Sequence, residues 1–230
     1  MPYQLVATDI DGTITDPSGR VHLKALEVIR ELEEKGIPVI LVSGRPLPYV
    51  ESLSLYMGTS GPLIAENGAV LKFGRQLILA GEAELAKKAL ALLERDFSRA
   101  GARLTLDEDN RYRMVDVTLE KTVDPELIRH RLDQAGLPVT LLVTNVMLHL
   151  VDAKVSKGKA VLQALEFLGI APSRAVVCGD SFNDLPLFAI GALNLAVGSA
   201  EPSLKQKADR VASLPGGAGF AELVRETFGL

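Results

Sequence analysis

The chain has 230 residues, of which 47% are hydrophobic and 23% charged, with a net charge of −4, one cysteine and no tryptophan. That is enough apolar material for one large domain or two small ones with a real core. No basic run and no basic–aromatic interleaving occurs, which argues against a nucleic-acid partner. Cys178 alone rules out an internal disulfide and fits a reducing, cytoplasmic compartment. The first four residues carry no basic segment, so no secretory leader is predicted. The longest apolar region, 137–151, is broken by Thr140, Thr144, Asn145 and His149. It falls short of the roughly 18 unbroken apolar residues that a membrane span needs, so no membrane partner is expected. The mean hydropathy of +0.21 is that of a chain with parallel strands buried on both faces.

In chain order, residues 4–8 read as a short strand with Asp9 at its carboxyl end, followed by Ile10-Asp11-Gly12-Thr13. Residues 21–35 carry Leu23, Leu26, Ile29 and Leu32 at helical spacing and stop at Gly36. A buried strand at 37–42 ends in Ser43-Gly44-Arg45-Pro46, and a helix over 47–57 ends at Gly58. A strand at 63–66 meets Asn67-Gly68, a two-residue hairpin signal. This alternation predicts a Rossmann-like α/β core, a parallel sheet wrapped by helices.

The pattern then changes. A long amphipathic helix over 82–100 precedes strands at 103–107 and 111–119, split by Asp109-Asn110. Asp124-Pro125 opens a helix to about 135, and strands follow at 138–143 and 146–151. Two helix-strand-strand units predict an inserted α+β domain at 80–152, a four-stranded antiparallel sheet with both helices on one face. Alternation resumes with a helix over 158–168, a strand at 175–178, a short helix over 184–190, a strand at 193–197 and a helix over 218–228. Residues 1–79 and 153–230 therefore form the core.

Four strand-end stretches carry the polar chemistry. Asp9 and Asp11 can hold a divalent cation or divide nucleophile and acid/base work. The hydroxyl of Ser43 and the backbone N–H groups of Ser43-Gly44 can bind phosphate oxygens or simply cap a turn. Lys157 stands in the first turn of its helix, the wrong sign for the helix dipole, which suggests an anionic partner. Lys154 and Lys159 are its neighbours and competitors. Gly179-Asp180-Ser181-Phe182-Asn183-Asp184 adds two carboxylates at another strand end, although Asp184 also suits a cap. Four clustered carboxylates repel one another unless a divalent cation sits among them, and Mg²⁺ prefers oxygen ligands shared with phosphate.

Asp-x-Asp-Gly-Thr, Ser after the second strand, Lys-Gly and Gly-Asp-Ser-x-Asn-Asp, in this order, resemble the four motifs of the haloacid dehalogenase superfamily of phosphatases. The insertion between the second and third motifs resembles the subgroup capped there, and its compact size is most similar to archaeal-type phosphoglycolate phosphatases. The resemblance implies a Mg²⁺-dependent phosphatase of a small phosphomonoester. Asp9 would be the nucleophile and Asp11 the acid/base. Ser43, Gly44, Lys157 and Asn183 would bind the phosphoryl group, and Asp9, Asp11, Asp180 and Asp184 would hold the metal, Asp11 through its carbonyl. The substrate implied is 2-phosphoglycolate. Sugar-phosphate phosphatases of the Cof or sucrose-phosphate type, and a phosphomutase on the same fold, remain alternatives, and a homodimer stays open. Arg103, Arg111, Arg113, Asn145 and His149 are the insertion's polar candidates, each of which also has a plain solvated or core explanation. Arg111 and Arg113, two apart on a strand, would share a face.

Overall fold

The computed structural model describes residues 2–144 and 146–230. The first part of the chain forms β1 (Leu5–Asp9), α1 (Leu23–Glu34), β2 (Val39–Val42), α2 (Leu47–Met57), β3 (Leu63–Ala65), β4 (Val70–Phe73) and β5 (Gln76–Leu79). The middle forms α3 (Ala83–Arg99), β6 (Val117–Glu120), α4 (Pro125–Ala135), β7 (Val139–Val143) and β8 (Met147–Asp152). The last part forms α5 (Lys157–Leu168), β9 (Ala175–Gly179), β10 (Leu193–Ala196), α6 (Pro202–Lys205), β11 (Arg210–Val211) and α7 (Gly216–Phe228). No helix among the described residues is long and apolar enough to cross a membrane.

The outer parts build one eight-stranded sheet, in the order β11-β10-β9-β1-β2-β3-β4-β5. β11 through β3 pair in parallel, and β4 and β5 add an antiparallel edge. β1 lies between two parallel neighbours and is buried throughout, which is why Leu-Val-Ala-Thr reads as apolar rather than alternating. Its register pairs Asp9 with Val42 and Thr8 with Cys178. Ser43 and Asp180 thus leave the sheet within a residue or two of the level of Asp9, and three motif stretches converge at one sheet edge.

The middle part makes a second sheet with its own apolar cluster. Leu119, Leu141, Leu148 and Leu150 share a face with Ala86, Ala89, Leu93 and Phe97 of α3 and Ile128 and Leu132 of α4. Asp124 caps α4 by accepting the Glu126 N–H, and Gly136 ends it in the left-handed conformation. Register pairs Thr118 with His149 and Leu142 with His149, so these three side chains point away from that cluster.

The sheet is three-stranded, β6-β8-β7, where four strands were expected. The missing strand survives as a single bridge, Leu106 to Leu119. Glu108–Tyr112 winds instead into a 3-10 turn, capped by Asp107, which accepts the Asp109 N–H. Beyond it, the N–H groups of Met114, Val115 and Asp116 donate to the Glu66 carboxylate at 2.8, 2.8 and 3.1 Å and cannot join a ladder. Arg111 and Arg113 therefore do not share a strand face.

The Asn67-Gly68 turn also differs from expectation. Ala65 pairs with Val70, so the loop has four residues rather than two. Glu66 and Asn67 both take positive φ, 49° and 58°. Residues 184–190 form two 3-10 turns, Phe182–Asp184 and Leu187–Ala189, rather than one helix. β5, α6 and β11 were not anticipated; the last two have four and two residues, too few to show a period.

Gly68 has φ 99°, and a Cβ there would meet the Ser156 carbonyl oxygen at 2.5 Å. Gly68→Ala should lose about 1–3 kcal/mol from backbone strain, with the contact adding to it. Gly74→Ala, at φ 57° with nothing nearby, is the control for strain alone. Denaturant unfolding measures both; equal losses would show that the turn at 66–68 is not packed as described.

Candidate active site

Lys157 organises the polar centre. Its Nζ donates to Asp9 Oδ1 at 2.6 Å and to Asp184 Oδ1 at 2.7 Å, with the residue 2% exposed. Burial alone would lower its pKa, but the two carboxylates outweigh burial and raise it above the ordinary lysine value. The anionic partner suggested by a lysine in a helix's first turn is thus a pair of aspartates. Ser156 caps that helix, accepting the Lys159 N–H at 3.2 Å, and holds the lysine in place.

Asp184 is fully buried and uses both oxygens. Oδ1 accepts from Lys157, while Oδ2 accepts the N–H groups of Asp180 and Ser181 at 3.1 and 3.2 Å. It is both a cap and a member of the acidic group. Thr13 Oγ1 lies 3.3 Å from Asp9 Oδ2 and 3.1 Å from Asp180 Oδ1, and can donate to either. Gly12, at φ 91°, leaves room for Asp180: a Cβ there would lie 2.3 Å from Asp180 Oδ2.

One carboxylate oxygen from each of Asp9, Asp180 and Asp184 lies within 4.8 Å of the others. Burial pushes the Asp9 carboxyl well above its ordinary value; Lys157 opposes this, and Asp184 and Asp180 add to it. Burial and then the Asp184 charge push Asp180 up to about 7. Three crowded oxygen donors, two of them raised by burial and mutual repulsion, fit a hard divalent cation. With Asp184 spent on Lys157 and two backbone N–H groups, Asp9 and Asp180 have the freer oxygens.

Above this centre lies a cavity of about 560 Å³, walled by the core on one side and the insertion on the other. Asp9, Asp11, Gly44, Asp180 and Asn183 line it, whereas Ser43, Lys157 and Asp184 lie beneath its wall. Ser43 Oγ accepts the Arg45 N–H at 3.1 Å, which is the turn-capping use. The Asn183 Oδ1 accepts from the Ser181 hydroxyl. Asp11 is half-exposed and held in a fork by Arg45, Nε to Oδ2 at 2.8 Å and Nη2 to Oδ1 at 2.7 Å. The sequence alone leaves Arg45 either to touch substrate or to pair with a carboxylate, and the structure shows the pairing.

Of the insertion's candidates, Arg113 and His149 line the cavity and Arg103 and Arg111 do not. Arg111 stacks on the Tyr112 ring, 4.7 Å from its centroid. Asn145 lies outside the described residues. Arg113 Nη1 donates to Asp116 Oδ1 at 2.6 Å and to the Gly44 carbonyl at 3.0 Å, with its side chain 6% exposed. Glu66 and Asp116 were missed. The signal for each was a lone carboxylate in an apolar run, Leu-Ile-Ala-Glu and Met-Val-Asp-Val.

An aspartate pair at the end of the central strand, a buried lysine between carboxylates and a capped crevice define a class of hydrolase. The chain belongs to the haloacid dehalogenase-like hydrolases, whose family model matches residues 6–114 and 136–223. It is 35% identical to a phosphoglycolate phosphatase of Methanoculleus marisnigri, over 97% of this chain and 96% of that protein. It is 36% identical to a phosphoglycolate phosphatase of Methanospirillum hungatei, with the same coverage. The crystal structure of Thermoplasma acidophilum 0175 superposes with a TM-score of 0.88 at 26% identity, covering 97% of both chains.

The raised Asp180 has a sign that can be tested. Its folded pKa of about 7 lies above the ordinary 3.8. Between those values the folded state holds the proton more tightly, so Asp180 costs metal-free stability as pH rises, in full above the folded value. In chelator at about pH 8, Asp180→Asn should therefore melt above wild type, and the gap should close by about pH 4. Mg²⁺ at 100 times its dissociation constant should add about 2.7 kcal/mol to wild type and much less to the variant. Identical melting curves for the two proteins, with and without Mg²⁺, would mean that no cation binds here.

Proposed function

We propose that the protein is a Mg²⁺-dependent phosphatase that hydrolyses 2-phosphoglycolate through an aspartyl-phosphate. The observation that carries the substrate is Arg113, a buried guanidinium in the insertion's wall of the cavity, paired there with Asp116. A substrate with phosphate at one end and carboxylate at the other would place its phosphate at the metal-holding centre and its carboxylate against the wall that carries Arg113. The names of the curated relatives point the same way.

Asp9 attacks phosphorus, the ester P–O bond breaks, and the leaving alkoxide takes a proton from Asp11. Asp11, again a carboxylate, then takes a proton from water. That water attacks phosphorus, the P–O bond to Asp9 breaks, and phosphate leaves. For this Asp11 must swing out of the Arg45 fork, an exposed ion pair of low cost to break. Lys157 keeps Asp9 oriented and offsets its charge, and Ser43, Gly44 and Asn183 bind phosphoryl oxygens. Asp9 and Asp180, backed by Asp184 and the Asp11 carbonyl, would hold Mg²⁺, which supplies charge to the phosphoryl oxygens and relieves repulsion among the carboxylates.

A cavity of about 560 Å³ also admits a hexose phosphate, so size alone does not select the small substrate and charge must. Phosphate release from a panel of phosphorylated metabolites is the test. Phosphoglycolate should lead; a hexose phosphate preferred by more than about tenfold, roughly 1.4 kcal/mol, would replace this reading with a sugar phosphatase. Phosphate transferred to a sugar hydroxyl rather than released would make it a mutase.

Asp9→Asn should fold normally and lose at least about 10³-fold in turnover, some 4 kcal/mol of barrier, because an amide cannot form the phosphoenzyme. A variant within tenfold of wild type would refute the covalent route.

A further inference from the structure

His149 is a buried histidine on the cavity side of the second sheet, and the chemistry above gives it no task. Its neighbours settle which edge of the ring is spoken for. Nδ1 lies 3.0 Å from Asp116 Oδ2. Burial raises the Asp116 carboxyl, but the His149 hydrogen bond and the Arg113 charge outweigh it and leave the group below its ordinary value. Asp116 is thus an ionised, acceptor-only group, and Nδ1 must be the donor. Asn67 Nδ2 packs on the same side and donates to Asp116 Oδ2 at 3.5 Å; at 3.2 Å from Nδ1 it meets that N–H donor to donor and makes no hydrogen bond with it. The other nitrogen, Nε2, makes no hydrogen bond to the described residues and is not among the fully buried unpartnered atoms. It is the edge the ring offers to the cavity.

We propose that His149 is a specificity residue that takes the anionic, non-phosphate end of the substrate at Nε2. This rests on the reading of a carboxylate-bearing phosphomonoester and assigns that carboxylate a partner. Asp116 already balances Arg113, so the Arg113–Asp116 pair is close to neutral and attracts an anion weakly by itself. With Nδ1–H held by Asp116, the ring can meet an anion at Nε2 only as an imidazolium, which then adds a positive charge and a second N–H on the far side of Asp116. A neutral substrate tail gains nothing from that N–H. Asp116 thus acts as a positioning residue, fixing the ring by one oxygen and Arg113 by the other.

The test compares two substitutions that divide the ring's two functions. His149→Asn places an amide N–H near Nδ1 and keeps the tie to Asp116, but has nothing at Nε2. His149→Gln reaches toward the Nε2 position. For each protein, kcat and KM are measured with 2-phosphoglycolate and with the neutral-tailed 4-nitrophenyl phosphate, and melting temperatures are recorded. In His149→Asn the ratio of kcat/KM for the two substrates should fall tenfold or more, chiefly through KM for phosphoglycolate, as expected for roughly one charged hydrogen bond. His149→Gln should recover part of the ratio. Unchanged ratios in both variants would overturn the proposal, as would equal losses on both substrates, which are what a purely structural histidine gives. If His149→Asn fails to fold, His149→Gln decides: a neutral amide in place of the ring should lower the ratio part of the way, and an unchanged ratio overturns the proposal. Wild type separates the two readings: no preference for a carboxylate tail removes both, whereas a preference that survives in the variants removes only this one and leaves recognition to Arg113.

Discussion

A buried lysine held between two buried carboxylates fixes everything else in the site. Taking Lys157 out of water costs several kcal/mol, and only close pairing with more than one anion offsets it. Asp9 and Asp184 do so at 2.6 and 2.7 Å, and among the described residues neither has another cation within ion-pair distance. The consequence is geometric. Asp9 comes from the end of β1, Asp184 from the turn after β9, and Lys157 from the first turn of α5. None of the three can move without stranding a charge in the interior. The polar centre is therefore preorganised, as electrostatic catalysis requires. The arrangement still leaves more negative than positive charge, and that surplus is what a divalent cation would neutralise.

Legibility in the sequence followed the same division. Strand-end motifs in a parallel sheet lie next to each other in space whatever the loops do, so Asp9, Lys157, Asp180 and Asp184 could be gathered from order alone. Asp184 was readable as a cap and as a site residue, and it is both. Misreadings fell where tertiary contacts overrode local pattern. Residues 111–116 carry strand-like alternation, yet the N–H groups of Met114, Val115 and Asp116 go to Glu66, some fifty positions earlier in the chain. The Asn67-Gly68 pair signals a tight turn, yet Glu66 also takes positive φ so that its carboxylate can face the insertion. For Arg45 the sequence leaves substrate contact or a carboxylate partner open, and it could not name that partner because Asp11 sits on another strand's exit loop.

The turn at 66–68 shows how the two sheets are made to act together. Glu66 N–H donates to the Arg45 carbonyl and Asn67 N–H to the Ser43 carbonyl, each at 3.0 Å, which ties the turn to the phosphate loop. Gly68 packs on Ser156 and Lys157. The Glu66 side chain, raised in pKa by burial and by the nearby Asp116, grips the insertion. Two consecutive non-glycine residues at positive φ cost of order 1–3 kcal/mol each, a strain that persists only where surrounding contacts enforce it. Here those contacts are two site motifs and the specificity-bearing segment, so the strain is stored at the junction between chemistry and recognition.

That junction divides labour by charge. The core side is surplus-negative and suits a cation plus a phosphoryl group. On the insertion side Asp116 stands between two basic side chains, facing Arg113 with one oxygen and His149 with the other. Had Asp116 been absent, two cationic groups in one wall would attract any phosphate, and substrates could enter in either orientation. With it present, the wall binds an anion weakly except through a directed N–H. For the substrate proposed above, the phosphate, which carries more charge than a carboxylate, would be drawn to the core side, where a divalent cation would sit, and would leave the carboxylate for the insertion. Weakening one anion site relative to the other is what gives a doubly anionic substrate a single productive orientation.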